Sequence, residues 1–298
     1  MPAIARRHHV LSQGYLACFT DTGTQAGKLF VCDLRTKHSF LTSPKNVCVE
    51  RDFNLMSDET QEPDRVEKAL SGLESAAIPI LRRMCAVNAF PPDDDFSYVL
   101  NLMCLLVVHN PRARRRMNTA RQHSTRMMLD MLASSRALYE TQLRRAREAG
   151  FVTGPGVPFE RFQKFASSGR FRIEITTDAS LGTEFGIFDA VLCLLGRRSW
   201  SLLVTAKDAP DFMCSDHPVT LAYKDSSARG SIGFGIRNTE VMFPLDPRHA
   251  LFGVFEDPLP LCVELSPERV EELNLRTICQ ADRQVFGRPA HQAGQGSE

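Results

Sequence analysis

Ser199-Trp200-Ser201-Leu202-Leu203-Val204-Thr205 is the stretch on which the fold turns. It is a short apolar run with a β-branched end, and it reads as a β-strand. Upstream of it, from Pro63 onward, apolar residues recur at helical spacing. Downstream they come in short runs cut by proline-containing turns, until Pro267 opens a last helical pattern. The order is mostly helix, then mostly strand, then helix. Segregation of that kind predicts an α+β domain with a mixed or antiparallel sheet in its second half, not a doubly wound parallel sheet.

Working back from the strand, Val66, Leu70, Leu73, Ala77 and Leu81 mark one amphipathic helix. Pro91-Pro92-Asp93-Asp94-Asp95 breaks it and starts a second over 96–109. Pro111 interrupts again, and a long helix is expected over 112–148, ended by Gly150 and Gly154-Pro155-Gly156. Short helices are expected over 159–166 and 185–195. Residues 8–56 read as irregular to extended, with strands over 28–33 and 46–50. Further strands are expected over 211–214, 219–223, 240–245, 250–255 and 261–265, and the closing helix over 267–286. The expected organisation is one domain over 1–288 and a polar, Gly-rich, disordered tail over 289–298.

Composition narrows the class of protein. The 298 residues carry a formal net charge of +1, so any electrostatic message lies in local patches. The most apolar run, 99–108, is ten residues and includes Asn101, which suits a buried helix and not a membrane span. Arg6 and Arg7 are followed by polar residues where the apolar core of a leader would stand. The expected address is the cytoplasm, with no membrane partner. Nine cysteines, an odd number without a Cys-x-x-Cys pair, read as buried thiols in a reducing compartment. A cysteine-built zinc cluster is not expected. Gly230-Ser231-Ile232-Gly233-Phe234-Gly235 lacks the strand–loop–helix context of a nucleotide loop, and no Gly-x-Ser-x-Gly elbow is present.

The charge is unevenly distributed. Between Glu50 and Asp95, eleven acids face five bases; between Arg112 and Arg147, ten arginines face two acids. Arginine favours bidentate recognition of phosphate or carboxylate. The plainer reading is two amphipathic helices whose solvated faces partly neutralise each other. Arg112, just after the Asn110-Pro111 break, is singled out from that pattern.

The N-terminal stretch His8-His9-Val10-Leu11-Ser12-Gln13-Gly14-Tyr15-Leu16-Ala17-Cys18-Phe19 places two imidazoles, an amide and a phenol among apolar anchors. It is expected to dock into the body of the protein, with His8 and His9 pointing to opposite sides. Glu50 and Asp52 share a face if their segment is a strand; they form either a metal-holding pair or the rim of a turn. Glu67 and Glu74 are seven apart near the edge of the apolar stripe. They are either half-buried functional groups or partners of the arginine-rich helix. Asp216 follows an apolar strand and precedes His217-Pro218, so it is either a functional acid at a strand end or an Asx-turn cap. Asn274 and Arg283 fall on the expected last helix, as a core amide and an ion-pair partner.

These segments together resemble the bacterial family known as domain of unknown function 4238. Its N-terminal pattern is similar to His-His-Tyr-Val-Pro-Gln-Phe-Tyr-Leu-x-x-Phe. The chain keeps His8, His9, Gln13, Tyr15, Leu16 and Phe19, and departs at Val10, Ser12 and Gly14. The resemblance continues through Asn46-Val47, Glu50, Asp52-Phe53, the Glu67–Glu74 helix, Asn110-Pro111-Arg112, Trp200, 212–219, Phe243-Pro244-Leu245, Asn274 and Arg283. It implies that these scattered polar residues form one recurring constellation.

The leading expectation is a metal-dependent hydrolase acting on a phosphodiester, as a nuclease or phosphodiesterase on nucleic acid or nucleotide. His8 or His9 with Glu50, Glu67 and Glu74 would hold magnesium or manganese, with Asp216 joining them. Asp216, Gln13, Arg112 and Arg283 form the expected catalytic group, the arginines facing a phosphoryl oxyanion. The alternative is a non-catalytic module of a bacterial defence or toxin system that binds nucleic acid or another anionic ligand through Arg112–Arg147.

Overall fold

The computed structural model describes residues 6–56, 65–225, 227–255 and 258–289. The expected disordered tail lies, beyond residue 289, outside the described residues.

The chain opens with β1 (Arg7–His9) and α1 (Gln13–Ala17), followed by β2 (Leu29–Asp33), β3 (His38–Thr42), a 3-10 turn at Pro44–Asn46 and β4 (Val49–Arg51). Helices fill the middle: α2 (Arg65–Val87), α3 (Asp93–Val108), α4 (Pro111–Ser134), α5 (Arg136–Glu148), α6 (Phe159–Ser168), α7 (Thr177–Gly186) and α8 (Phe188–Gly196). Strands dominate the remainder: β5 (Ser199–Thr205), β6 (Cys214–Ser215), β7 (Thr220–Tyr223), β8 (Thr239–Asp246), β9 (His249–Val254) and β10 (Cys262–Leu265). Then come α9 (Pro267–Gln280) and β11 (Gln284–Gly287). The architecture is α+β, as the segregation of elements predicts.

The strands form three sheets. β1 and β4 make an antiparallel ribbon with His8 opposite Glu50. A five-stranded sheet runs β10-β5-β9-β8-β7, antiparallel except for the parallel β10–β5 pair. An antiparallel four-stranded sheet runs β3-β2-β11-β6. Trp200 of β5 lies opposite Gly253 of β9, and a Cβ at Gly253 would come within 2.7 Å of the indole. Only glycine permits that approach.

The N-terminal stretch is buried, as its apolar anchors predict, although a helix forms where extended chain is expected. Ser12 caps α1 by accepting the Tyr15 N–H, and Tyr15, Leu16 and Phe19 are fully enclosed. Tyr15 stacks on Phe243 with ring centroids 5.2 Å apart, and its hydroxyl donates to the Pro244 carbonyl at 2.6 Å. Around this anchor pack Leu81 and Met84 of α2, Leu102 and Met103 of α3, and Phe243 of β8. A second apolar cluster, including Phe212, Met242, Val270 and Leu273, seats α9 on the five-stranded sheet.

Two expected helices are shorter than their sequence pattern. The 112–148 helix divides at Ser135, which adopts extended geometry and caps α5 by accepting the Leu138 N–H. Serine offers its hydroxyl to the backbone and so competes with helix continuation. The last helix stops at Gln280, and the chain turns into β11 because Asp216 captures its backbone. One carboxylate oxygen accepts the Asp282 N–H at 2.8 Å; the other accepts the Arg283 and Gln284 N–H groups at 2.8 and 2.9 Å. Arg283 therefore lies outside the helix, in the turn between α9 and β11, and pairs with Asp33 of β2 at 2.6 Å.

By length and composition, Thr177–Gly196 is apolar enough to cross a membrane, with mean hydropathy 1.4. Here it divides at Ile187 into α7 and α8, and Glu184 within it is completely buried in an ion pair.

Candidate functional site

The β1–β4 ribbon lends residues to two separate cavities, and these divide the expected constellation. His9, Gln13, Glu67 and Glu74 line one, of about 260 Å³. Glu50, Arg112, Asp216 and Arg283 line the other, of about 490 Å³. A single metal centre drawing on both sets, as expected from sequence, is not what this geometry provides.

Of the two imidazoles only His9 lines the smaller cavity, and the two have different tasks. His8 is buried, and its Nδ1 accepts the Asn54 N–H at 2.6 Å; the Asn54 amide in turn donates to Glu67 at 2.7 Å. That nitrogen of His8 is thereby committed to the fold. His9 leans on the Val47 carbonyl, while among the described residues its buried Nδ1 has no hydrogen-bond partner. Burial lowers the His9 pKa against the opposing charge of Glu67. Burial also pushes the Glu74 carboxyl up to about 7, with Glu67 adding to the rise and a hydrogen bond from Ser12 opposing it. A carboxyl that titrates near neutrality beside a second acid and an imidazole can move protons. Among the described residues, however, the donor atoms of His9, Glu67 and Glu74 do not converge as a three-ligand metal group; Cys85, Asp246 and His249 do.

The larger cavity is dominated by arginine. Arg7, Arg35, Arg51, Arg112, Arg115 and Arg283 line it, against Glu50, Asp216 and Asp282. Arg112 donates to the Gln280 carbonyl, Arg115 pairs with Asp282 and Arg283 with Asp33. The Thr36 amide N–H and Arg283 help hold the Asp33 carboxyl down at about 2. Pro111 and Arg112, the first residues of α4, sit at this cavity, and Asn110 caps the helix by accepting the Ala113 N–H at 2.8 Å. The positive end of a 24-residue helix thus lies at an arginine cluster.

Several expected roles change. Asp216 is the loop cap, not a free strand-end acid: both its oxygens serve backbone N–H groups, although burial raises its pKa. Glu50 and Asp52 do not share a strand face, because β4 ends at Arg51 and Asp52 takes a left-handed φ of 56°. Asp52 instead lies near Arg51 and Arg6, at 3.4 and 3.9 Å. Asn274 is the core amide expected: it accepts the Met213 N–H and donates to the Asp211 carbonyl, both at 2.9 Å.

One polar group in the interior was not anticipated. Glu184 accepts from Arg114 Nη2 at 2.9 Å and contacts His109 Nδ1 at 2.7 Å, while Arg114 lies 3.4 Å over the Phe53 ring and donates to its carbonyl. A lone glutamate inside the apolar run 177–196 is the sequence signal for such a buried partner. Among the described residues, the arginine-rich helix therefore pairs with α7 and the 282 turn, and the acidic run before Asp95 supplies none of these partners.

Fold and cavities together define an α+β protein with an arginine-lined pocket at a helix N-terminus and a separate carboxylate–histidine pocket. The chain belongs to the family described as protein of unknown function DUF4238, which matches residues 7–291. No curated protein and no solved structure matches it.

Proposed function

We propose that the larger cavity binds a phosphate-bearing ligand, a nucleotide or a nucleic-acid strand. The observation that carries this reading is six arginines around one cavity of about 490 Å³ at the N-terminus of α4. Three acids share the lining, so positive charge is in surplus. Arg112, Arg115 and Arg283 are held by protein acceptors and so are pre-oriented; among the described residues Arg7 and Arg35 have no ion-pair partner. Guanidinium groups suit phosphate oxygens, and the α4 dipole adds to the positive field there. The test is equilibrium binding of nucleotides and short RNA and DNA at two salt concentrations, without divalent ions. Binding that weakens with salt and weakens further in Arg7→Gln/Arg35→Gln supports the reading; binding indifferent to both contradicts it.

A second reading, a magnesium- or manganese-dependent hydrolase, draws on the smaller cavity, where Glu74 titrates near 7 beside Glu67 and His9. There Gln13 and His9 would orient a water or a substrate, and the two carboxylates would hold the ion. Manganese-dependent turnover lost in both Glu67→Gln and Glu74→Gln would support it; turnover that survives both would contradict it.

A further inference from the structure

A third cluster lies outside both cavities. Cys85 near the end of α2, Asp246 at the end of β8 and His249 at the start of β9 bring one donor atom each within 4.8 Å of one another. They line a cavity of about 280 Å³ that also includes Cys18 and Arg82. Sequence separation hides the group: α2 and the β8–β9 turn meet only in the folded chain.

His249 is held from both sides: its Nε2 lies 2.7 Å from the Asn88 amide oxygen, and its Nδ1 lies 2.8 Å from Asp246 Oδ1, which also accepts the Arg248 N–H at 2.7 Å. Asn88 also has the place of an outer partner that orients a metal-bound imidazole. It ends α2 in a left-handed conformation, φ 51°, which carries its amide to the ring.

We propose that Cys85, Asp246 and His249 bind zinc. Thiolate, carboxylate and neutral imidazole form a mixed sulfur–nitrogen–oxygen set typical of zinc, and their two negative charges match a divalent ion. Bonds of about 2.0–2.3 Å place tetrahedral ligands about 3.3–3.8 Å apart. The donors need to shift by only about 1 Å to close on the ion. Three protein ligands leave a fourth position open to the cavity. Arg82, the nearby cation, donates to the Gly23 carbonyl at 2.7 Å.

The full chain, stripped of metal and titrated with cobalt, should take up one equivalent with a thiolate-to-cobalt charge-transfer band that zinc displaces. Cys85→Ser and His249→Ala should abolish the band, while the Glu67→Gln/Glu74→Gln pair, in another cavity, should leave it intact. Asn88→Gly keeps the backbone conformation but removes the outer partner, and should weaken cobalt binding about 10–100-fold without unfolding the protein. No band at one equivalent, or a band that persists in Cys85→Ser, would overturn the assignment and leave Asp246 and His249 as a hairpin clamp.

Discussion

At the scale of single residues, burial decides which polar groups remain available. Glu74 is mostly enclosed and titrates at about 7 against an ordinary 4.5, so the folded state holds a proton that the unfolded state releases. Its contribution to stability is fully present below about pH 4.5 and is lost as pH rises through 7. Glu74→Gln should therefore be more stable than the parent protein at pH 8, by on the order of 2 kcal/mol after allowance for partial solvent screening, with no gain at pH 4. Urea midpoints at the two pH values check this; an equal effect at both would count against a buried Glu74. Asp216 should behave in the opposite way from a free catalytic acid. Asp216→Ala leaves three backbone N–H groups without their acceptor and should cost about 3 kcal/mol of stability. A thermal midpoint unchanged by that substitution would refute the capping role.

At the scale of elements, close approach and capture from a distance set the boundaries. Gly253→Ala drives a methyl into Trp200 and should destabilise the β5–β9 pair by about 1–3 kcal/mol, measurable by chemical denaturation. Elements whose cause is local were readable in the chain: β5 in its apolar run, α2 in its helical spacing, α9 from its proline start. Where the cause is remote, the chain was silent. The end of α9 at Gln280 is imposed by Asp216, more than sixty residues earlier, and nothing in 281–286 announces it. α1 is five residues long, too short for periodicity to register, and depends on the Ser12 cap and the Tyr15–Phe243 stack. β3 is exposed along most of its length and lacks alternation, so only its pairing with β2 reveals it.

At the scale of the whole molecule, the polar residues spread along the chain are gathered, but into three places. The N-terminal stretch and the Glu67–Glu74 helix meet at the smaller cavity. Glu50, Arg112, Asp216 and Arg283 meet elsewhere, because the ribbon, α4 and the 282 turn surround a different cavity. The zinc group could not be read from sequence, since Cys85 and His249 come together only through the docking of α2 on the β8–β9 turn. The central claim is that the arginine cavity is a phosphate site. Its most direct measurement is the salt dependence of single-stranded nucleic-acid binding by the parent protein and by Arg7→Gln/Arg35→Gln, without divalent ions. The account predicts that log K falls linearly with log salt and that losing two phosphate contacts flattens the slope by about 1.4. An affinity and slope identical in the two proteins would contradict it.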